Sequence, residues 1–319
     1  MDPLKRLTTK ELMENENIKR LIETQEQRLN DQNQKRYADI FELPTGQHVY
    51  NDFDIFDELN GGYFGRVLLV RLKNSGQIYL MKRLPYMKQD DKHKADDEIV
   101  VLKQLQSKYT VRLFEAFPFD IDICLIEEYY QKGDMRRKIY EIQKLSNEER
   151  IKICLKFMYQ ILMGVNMLHS KNIIHRDIKP ENIYIDNNGN AILGDFGLAK
   201  NIGSHSYVKV AGTELYTAPE AFLQDKMFLE SDIFSAGITF FEMLTGNHPF
   251  KKDEYENFET TLKKIKNGQS DQLPDWVPVD LKRIVMNMIH VDYERRPSAE
   301  QILNSNLMKI QVEIENANQ

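Results

Sequence analysis

The chain has 319 residues, of which 41% are hydrophobic and 29% charged. These values are typical of a globular protein with one large domain or two small ones. The net charge of -6 argues against nucleic-acid binding, which usually involves a basic face. The two cysteines, Cys124 and Cys154, are too few for a disulfide framework or a cysteine-rich zinc site, so we expect buried thiols.

No targeting or membrane segment is expected in this sequence. The first twenty residues lack the apolar core of a signal peptide. No stretch reaches the roughly 18 apolar residues that a membrane span needs. The sequence therefore predicts a cytoplasmic protein, with the nucleus as an alternative location.

Residues 1–50 differ in composition from the rest of the chain, because they are rich in Asn, Gln, Glu and Lys. Leu4 and Leu7 recur as Ile18 and Leu21, but the heptad between them carries glutamates, so a sustained coiled coil is not indicated. The pattern predicts a helical or disordered extension. The alternative is a helix that binds a regulatory partner or dimerises.

Residues 51–128 predict a small antiparallel sheet with one main helix. The helix is expected over 93–107, where Ile99, Leu102 and Leu105 share one face. Short apolar and β-branched runs separated by turn residues predict the strands, which are expected at 53–59, 67–72, 78–81, 111–117 and 123–127.

Residues 131–308 predict a larger, mainly helical part. Ser146 and Glu149 form a capping-box pattern ahead of an apolar stripe that runs from Ile151 to Leu168 at spacings of three and four. Residues 233–244 are apolar on nearly every side, which predicts a central helix. Residues 309–319 are expected to form a tail, and the fold class is α+β.

A glycine-rich turn between the first two predicted strands is a candidate phosphate site. It runs from Asn60 to Val67, and its glycines allow main-chain N–H groups to approach phosphate oxygens. A plain hairpin is the alternative. Lys82 ends the next strand and Glu98 lies on the following helix, which suggests an ion pair that orients the lysine.

The strongest chemical signal is the stretch His175-Arg176-Asp177-Ile178-Lys179-Pro180-Glu181-Asn182. It places a carboxylate, an ammonium group and a carboxamide within six residues. Phosphoryl transfer uses a carboxylate to orient the attacking hydroxyl, a cation to neutralise charge and oxygen ligands for a divalent metal. Asp195-Phe196-Gly197 follows the next apolar strand and supplies a second candidate metal ligand.

With these motifs in this order, the chain from about Phe53 to Leu307 resembles a eukaryotic-type protein serine/threonine kinase. The resemblance implies a two-lobed fold with a small antiparallel β-sheet lobe (about 51–128) and a larger, mainly α lobe (about 131–308). It also implies that ATP and Mg²⁺, or Mn²⁺, bind in a cleft between the lobes. Proteins with serine or threonine acceptors are the implied substrates.

The resemblance assigns a role to each matching residue. Asp177 is the catalytic-loop aspartate and Lys179 is its neighbouring lysine, while Asn182 and Asp195 are the metal ligands. The positions implied to contact the nucleotide or its binding residues are Asn60, which stands in place of the usual first glycine, Gly62, Gly65, Val67, Lys82, Glu98, Glu128, Tyr130, Asp134 and Tyr184.

Two features favour serine and threonine as acceptors over tyrosine. Lys179 and Thr213, in the stretch 212–216, match kinases that act on serine and threonine, and both side chains are expected to reach Asp177. Tyrosine kinases generally replace the lysine. Ala218-Pro219-Glu220 closes the activation segment, and Glu220 is expected to pair with Arg296.

Three positions in the implied adenine pocket depart from the family pattern. Glu127 stands where an apolar residue or Thr is usual, and a carboxylate there is costly unless it is paired; Lys82 is one conceivable partner. Leu80 and Tyr184 are bulkier than usual. We expect a pocket that adjusts and still binds ATP. The alternative is a pseudokinase-like scaffold.

Control and substrate preference are left open by the sequence. Lys209 occupies the usual phosphorylation position, and Ser204, Ser206 and Tyr207 lie upstream as substitutes for a phosphate that Arg176 would receive. Three acidic residues match positions that read substrate arginines in related kinases, or they are ordinary solvated or ribose-contacting groups. These are Asp134, Glu181 and Glu242.

Overall fold

The computed structural model describes residues 48–62, 65–203, 205–253 and 255–317. The described residues divide into two compact units, and residues 107–110 belong with the second. The first unit ends at Gln131 and the second begins at Lys132. Most of the expected N-terminal extension (residues 1–47) and Ser204 lie outside the described residues.

The first unit contains a five-stranded antiparallel sheet with the strand order β1-β2-β3-β5-β4. One helix, α1, packs against β3 and β4. The predicted small antiparallel sheet with one main helix is therefore confirmed. The bounds are β1 (Phe53–Gly62), β2 (Gly65–Leu72), β3 (Ile78–Pro85), α1 (Gln89–Gln104), β4 (Leu113–Phe119) and β5 (Asp122–Glu128).

Strand alternation builds the core of this unit. Leu68, Val70 and Leu72 alternate along β2 and are buried in one cluster with Tyr79 and Met81 of β3, as the two-residue period of a strand requires. Helix α1 begins four residues earlier than predicted. Its first turn carries Asp90 and Asp91, and these charges complement the positive end of the helix dipole.

The second unit is mainly helical, as predicted. Helices α3 and α5 pack against each other, and almost all of α5 is buried. The helices are α2 (Met135–Ile142), α3 (Asn147–His169), α4 (Pro219–Gln224), α5 (Leu229–Thr245), α6 (Phe258–Asn267), α7 (Val279–Met288), α8 (Ala299–Leu303) and α9 (Asn306–Ala317).

The ends of these helices follow from local sequence. Ser146 and Glu149 form the predicted capping box at the start of α3, with Glu149 N–H donating to Ser146 Oγ at 3.4 Å. Helix α9 crosses residue 308, where the sequence places a boundary between domain and tail. Met308 and Gln311 are both buried, and α9 packs on α3.

Helix α3 is the one helix of the described ranges that is long and apolar enough to cross a membrane by length and composition. More than half of its most apolar window (56%) is buried within the protein. It packs against α5 and α8. A buried core helix meets the same criterion, so the finding is weak evidence for a span.

Four short strands position the loops of the second unit. They pair as β6 with β9 and β7 with β8. In the second pair Ile183 lies opposite Leu193, and Gly194 N–H donates to the Asn182 carbonyl at 2.9 Å. This register places Asn182 beside the start of the 195–197 turn. The strands are β6 (Ile173–Ile174), β7 (Ile183–Ile185), β8 (Ala191–Leu193) and β9 (Lys200–Asn201).

Candidate active site

The first unit contains the predicted lysine–glutamate pair. Lys82 Nζ donates to Glu98 Oε1 at 2.6 Å. Both residues are buried, with 7% and 5% of their surfaces exposed. Strand β3 presents the lysine and helix α1 the glutamate, so the packing of α1 on β3 fixes the direction of the ammonium group.

The β1–β2 hairpin contains the glycine-rich turn. Its last paired residues are Gly62 and Gly65, and Asn60 lies opposite Val67. Tyr63 and Phe64 at the tip lie outside the described residues. Gly65 has φ of 120°, and a Cβ there would approach the Arg83 carbonyl oxygen to 2.0 Å. Only glycine fits this position beside β3.

Glu127 lies in the middle of the sheet and is 6% exposed. It is opposite Leu80 on β3 and Leu113 on β4. Because Leu80 and Lys82 are two residues apart, they share a face, which makes Glu127 a diagonal neighbour of Lys82. The register thus places the unusual carboxylate on the same face as the lysine.

Glu128 and Tyr130, the predicted adenine contacts, close the first unit. Glu128 N–H donates to the Arg112 carbonyl at 3.0 Å, and Tyr130 Oη donates to Glu128 Oε2 at 3.2 Å. Burial, followed by the charge of Glu128, raises the pKa of Tyr130 well above its ordinary value. The Tyr130 side chain therefore stays neutral and donates a hydrogen bond. The contacts of the Glu128 and Tyr130 main-chain groups with adenine stay predictions.

Asp177 is the centre of the site in the second unit. It is 8% exposed, and its two carboxylate oxygens have different partners. Oδ1 accepts the Thr213 main-chain N–H at 2.8 Å and the Thr213 hydroxyl at 2.7 Å. Oδ2 accepts Lys179 Nζ and Asn182 Nδ2, each at 2.8 Å. The expected approach of Lys179 and Thr213 to Asp177 is present.

These contacts decide the charge of Asp177. Burial alone would raise its pKa, but the hydrogen bond and positive charge of Lys179, with the hydrogen bond from Thr213, hold the pKa below its usual range. Asp177 is therefore an ionised carboxylate at neutral pH. Because its two oxygens already accept four hydrogen bonds, an incoming hydroxyl must replace or share one of them.

Asn182 and Asp195 have the donor chemistry of a hard-cation site. Asn182 donates through Nδ2 to the side chain and main chain of Asp177, which leaves its Oδ1 as the ligand atom. Asp195 follows β8 with φ of 59°. The described residues contain no cluster of three or more His, Cys, Asp and Glu with metal-site geometry. Two protein ligands completed by phosphate and water oxygens suit Mg²⁺.

The loop that contains Asp177 is anchored by Asp232 of α5. Asp232 is 1% exposed and accepts the main-chain N–H groups of His175 at 2.8 Å and Arg176 at 2.9 Å. It also contacts His169 Nε2 at 2.9 Å. Asp232 directly precedes the apolar run 233–244 that predicts the central helix, but a contact spanning 57 residues leaves no local signal in the sequence.

The activation segment contacts this loop at three further points. Arg176 donates to the carbonyl groups of Leu198 at 2.6 Å and Lys209 at 3.0 Å. Gly212 has φ of 110°, and a Cβ there would approach the Arg176 carbonyl oxygen to 2.0 Å. Only a glycine at position 212 allows the activation segment to pass this close to Arg176. The phosphate-receiving role of Arg176 is untested.

Ser206 and Tyr207, the described candidate phosphoacceptors, are exposed. Lys226 Nζ lies 4.3 Å from the centroid of the Tyr207 ring. Val208 and Met227 exchange main-chain hydrogen bonds at 3.0 and 2.9 Å. This part of the segment is thus paired with the chain that precedes α5.

The end of the activation segment is held by the predicted pair of Glu220 and Arg296. The guanidinium donates to both carboxylate oxygens at 2.8 and 2.7 Å. The two residues are 2% and 5% exposed. Ser231 Oγ also donates to Glu220 at 2.6 Å. Bidentate geometry with nearly complete burial makes this a structural tie.

The three acidic residues offered as substrate readers do not form a free acidic surface. Asp134 caps α2 by accepting Arg137 N–H at 3.0 Å. Glu181 accepts Arg136 Nε at 2.8 Å, and Glu242 lies 3.0 Å from Arg136 Nη1. Sequence reasoning missed Arg136, since its partners are 45 and 106 residues away.

Tyr216 completes the surroundings of Arg136. Its hydroxyl accepts Arg136 Nη2 and donates to Glu242 Oε2 at 2.9 Å. Burial raises the pKa of Glu242, although Arg136 and the Tyr216 hydrogen bond partly offset it. Burial likewise raises the pKa of Tyr216 well above its ordinary value, with Glu242 adding to the effect. The phenol therefore stays neutral.

Tyr184, the bulky residue expected beneath the adenine, packs against Gly194. A Cβ on Gly194 would lie 2.5 Å from Tyr184 Cε2. Asp134 forms an isolated bridge with Tyr184. The large ring is thus accommodated by the glycine that precedes Asp195, within the β7–β8 pair.

Comparison with known proteins identifies one family. The sequence model described as "Protein kinase domain" matches residues 53–308. Serine/threonine-protein kinase Nek3 of Mus musculus is 31% identical over 259 residues, covering 79% of this chain and 49% of the mouse protein. Aurora/IPL1-related protein kinase 2 of Caenorhabditis briggsae is 32% identical over 261 residues, covering 81% and 83%.

A probable serine/threonine-protein kinase, nek2 of Dictyostelium discoideum, is 29% identical over 273 residues, covering 82% of this chain and 64% of the relative. The chain spans about half the length of mouse Nek3. The similarity to these two longer relatives therefore concerns only the aligned part of each.

Proposed function

Because this chain belongs to the protein kinase domain family, we propose that it transfers the γ-phosphate of ATP to serine and threonine hydroxyls of protein substrates. Protein kinases as a family use ATP and a divalent metal ion. The observation that carries the proposal is the contact of both Lys179 and Thr213 with the Asp177 carboxylate. Similarity to the named serine/threonine kinases supports the same acceptor class.

Asp177 orients the acceptor hydroxyl and takes its proton. The ionised carboxylate accepts a hydrogen bond from the hydroxyl, while Thr213 and Lys179 hold its two oxygens in place. Lys179 Nζ neutralises negative charge on the transferring phosphoryl group. Catalysis of this kind consists mainly of positioning and electrostatic stabilisation.

Asn182 and Asp195 hold Mg²⁺ in this proposal, with Mn²⁺ as a substitute. Asn182 supplies its Oδ1 and Asp195 a carboxylate oxygen, and both are hard oxygen ligands. The metal supplies neutralisation of charge on the phosphate oxygens. The main-chain hydrogen bond from Gly194 to Asn182 ties the two ligand-bearing loops together.

The remaining nucleotide contacts are assigned by family resemblance and supported by local geometry. Lys82, oriented by Glu98, binds the α- and β-phosphates, and the main chain around Gly62 and Gly65 covers the phosphates. The Glu128 carbonyl and the Tyr130 N–H bind the adenine edge. Asn60 and Val67 belong to the glycine-rich loop, Tyr184 lies beneath the adenine, and Asp134 is the remaining position implied to contact the nucleotide.

Location and regulation extend the proposal. We expect a cytoplasmic protein, with a nuclear location as the alternative, and a regulatory partner that binds through the N-terminal extension. The polar, charged composition of residues 1–50 is the support for such a partner. Nucleic acid is not an expected ligand at a net charge of -6.

Transfer of radiolabelled γ-phosphate tests the activity directly. The protein is incubated with Mg²⁺-ATP and generic protein acceptors, beside Asp195→Ala and, as a matched control, Asp280→Ala at an exposed aspartate (68% exposed side chain). We expect label on serine or threonine in the wild type and the Asp280 variant and none in the Asp195 variant. Label on tyrosine alone, or no label from folded protein, contradicts the proposal.

A further inference from the structure

A cavity of about 260 Å³ lies among the ends of three helices of the second unit. Its walls come from the last turn of α3, the beginning of α5 and the beginning of α8. Its lining residues are separate from those assigned to the nucleotide, the metal ion and the acceptor hydroxyl. An apolar cavity of about 150 Å³ is large enough to hold benzene. This cavity therefore has room for a small organic ligand that phosphoryl transfer does not use.

His169 is the most buried of the polar side chains that line this cavity, with 9% of its surface exposed. Its Nε2 lies 2.9 Å from Asp232 Oδ2. An ionised carboxylate only accepts hydrogen bonds, so Nε2 carries the hydrogen, and Nδ1 of the neutral imidazole is then an acceptor. Among the described residues, none donates a hydrogen bond to Nδ1. His169 thus has an acceptor nitrogen that a ligand in the cavity can satisfy.

Two carboxylates and an amide add further acceptors to the lining. Glu230 of α5 is half-buried and Glu300 of α8 is exposed. In the part of the chain that the structure describes, neither carboxylate has a hydrogen bond or an ion pair. Asn166 of α3 supplies an amide oxygen. The lining contains no lysine or arginine, so both negative charges face the cavity without a neutralising cation in its wall.

These groups favour a ligand that carries positive charge and donates hydrogen bonds. A primary ammonium group has three donors and no acceptor, which matches His169 Nδ1 and the two carboxylates. An anion would be repelled by the carboxylates, and the positive end of the α5 dipole is already complemented by Glu230 and Asp232 in its first turn. Leu229 and Ile233 also line the cavity, and their apolar side chains suit an alkyl chain.

We propose that this cavity is a binding site for a primary alkylammonium group, which comes from a free amine or from a lysine side chain. The ammonium group donates to His169 Nδ1, Glu230 and Glu300, and the alkyl chain lies against Leu229 and Ile233. Because Glu300 at the rim is exposed, the ligand enters from solvent. The inference does not depend on the proposed phosphoryl transfer.

A nuclear magnetic resonance titration of the full chain tests this proposal. The imidazole nitrogens of the seven histidines are labelled with ¹⁵N, and n-butylammonium chloride is added at constant ionic strength. We expect a saturable shift of the His169 Nδ1 signal, identified by its absence in His169→Gln, with the other histidine signals unchanged. A dissociation constant of about 1 mM or tighter is expected for so small a ligand.

Two further probes define the ligand chemistry. Butyltrimethylammonium keeps the charge and the alkyl chain but has no N–H donor, so it should bind at least about tenfold more weakly, as the loss of hydrogen bonds between charged groups predicts. N-acetyl-lysine methylamide distinguishes the two sources of the amine. Binding as tight as that of butylammonium favours a lysine side chain, and binding at least about tenfold weaker favours a free amine.

A pair of variants localises the site and keeps the test decisive if His169→Gln does not fold. Glu230→Gln combined with Glu300→Gln should raise the dissociation constant of butylammonium at least about tenfold. The matched control combines Glu259→Gln with Glu294→Gln, which removes two exposed carboxylates outside the cavity and should bind as the wild type does. Equal weakening in both double variants, equal binding of the two butyl probes, or no saturable shift in the folded wild type overturns the proposal.

Discussion

Thr213 donates both its main-chain N–H and its hydroxyl to one oxygen of Asp177, at 2.8 and 2.7 Å. The other oxygen is held from within the catalytic loop by Lys179 and Asn182. The rotation of the carboxylate is therefore set jointly by two segments. A displacement of the activation segment would release one oxygen and leave the other in place.

Thr213→Ala should lower kcat by about tenfold to a hundredfold. The change removes a hydrogen bond to a charged group, worth about 1.5–3 kcal/mol, and each 1.36 kcal/mol corresponds to tenfold in rate. Thr213→Ser keeps the hydroxyl and should remain within about threefold of the wild type by the same relation. Steady-state kinetics with a peptide substrate measure both, and an alanine variant with the wild-type kcat would refute the assigned role of Thr213.

The pH dependence of stability should report the low pKa of Asp177. A depressed folded pKa gives stabilisation that is fully present above the unfolded value, about 3.9, and is lost as the pH falls through the folded value. The difference in unfolding free energy between the wild type and Asp177→Asn should thus be constant from about pH 7 to pH 5 and shrink below about pH 4. Urea unfolding at each pH measures it. A difference that already changes above pH 5 would indicate a raised pKa instead.

The buried pair of Glu220 and Arg296 should dominate the stability of the second unit. Arg296→Ala leaves the Glu220 carboxylate buried without its bidentate partner, a loss of about 3–5 kcal/mol. The neighbouring Arg295→Ala is the control, since Arg295 has a 73% exposed side chain and pairs at 3.5 Å; it should change the unfolding free energy by less than about 0.5 kcal/mol. Equal effects in chemical denaturation would contradict the assignment.

Local sequence patterns predicted the helices and strands well where the same pattern stabilises the element. Short apolar and β-branched runs predicted the strands of the first unit to within a few residues, and the capping box predicted the start of α3. The start of α1 was misplaced because residues 89–92 contain no apolar residue. Their helical state depends on the helix dipole and on the continuing turn, which periodicity does not detect.

The residues of the candidate site also divide into those that a local motif predicts and those that only distant contacts reveal. Residues within one motif, such as Asp177, Lys179 and Asn182, could be placed because the motif is short. The contacts of Arg136 and Asp232 could not be placed in this way. The partners of Arg136 lie 45 to 106 residues away in the sequence, and those of Asp232 lie 56 to 63 residues away. Only the folded chain brings these charges together, and a lone arginine on a helix reads as a surface residue.

Gly65 and Gly189 form a matched pair for testing the glycine-rich turn. Both have positive φ, but a Cβ at Gly65 would lie 2.0 Å from the Arg83 carbonyl oxygen, whereas Gly189 has nothing within 4 Å. Gly189→Ala should cost only the left-handed backbone penalty, about 1–2 kcal/mol. Gly65→Ala should cost more and should also weaken ATP binding by distorting the hairpin. Thermal unfolding and nucleotide titration measure both effects, and equal costs would contradict the close approach.

The contact of Tyr184 with Gly194 predicts a coupled pair of substitutions. Gly194→Ala would place Cβ 2.5 Å from Tyr184 Cε2 and 2.9 Å from Cδ2, so the ring or the β7–β8 pair must move. Because Gly194 precedes Asp195, that movement should lower both the melting temperature and kcat. Tyr184→Leu alone removes the ring and should leave kcat within about threefold, since the sheet register does not depend on it.

The double variant decides whether the ring is the cause. When Tyr184→Leu has removed the ring, the added methyl group of Gly194→Ala has room, so the double variant should recover most of the lost stability and rate. We expect a coupling free energy of about 0.5–3 kcal/mol, from chemical denaturation of the wild type, both single variants and the double variant. Additive effects would show that Gly194 is required for its backbone instead, and that the bulky Tyr184 was accommodated without it.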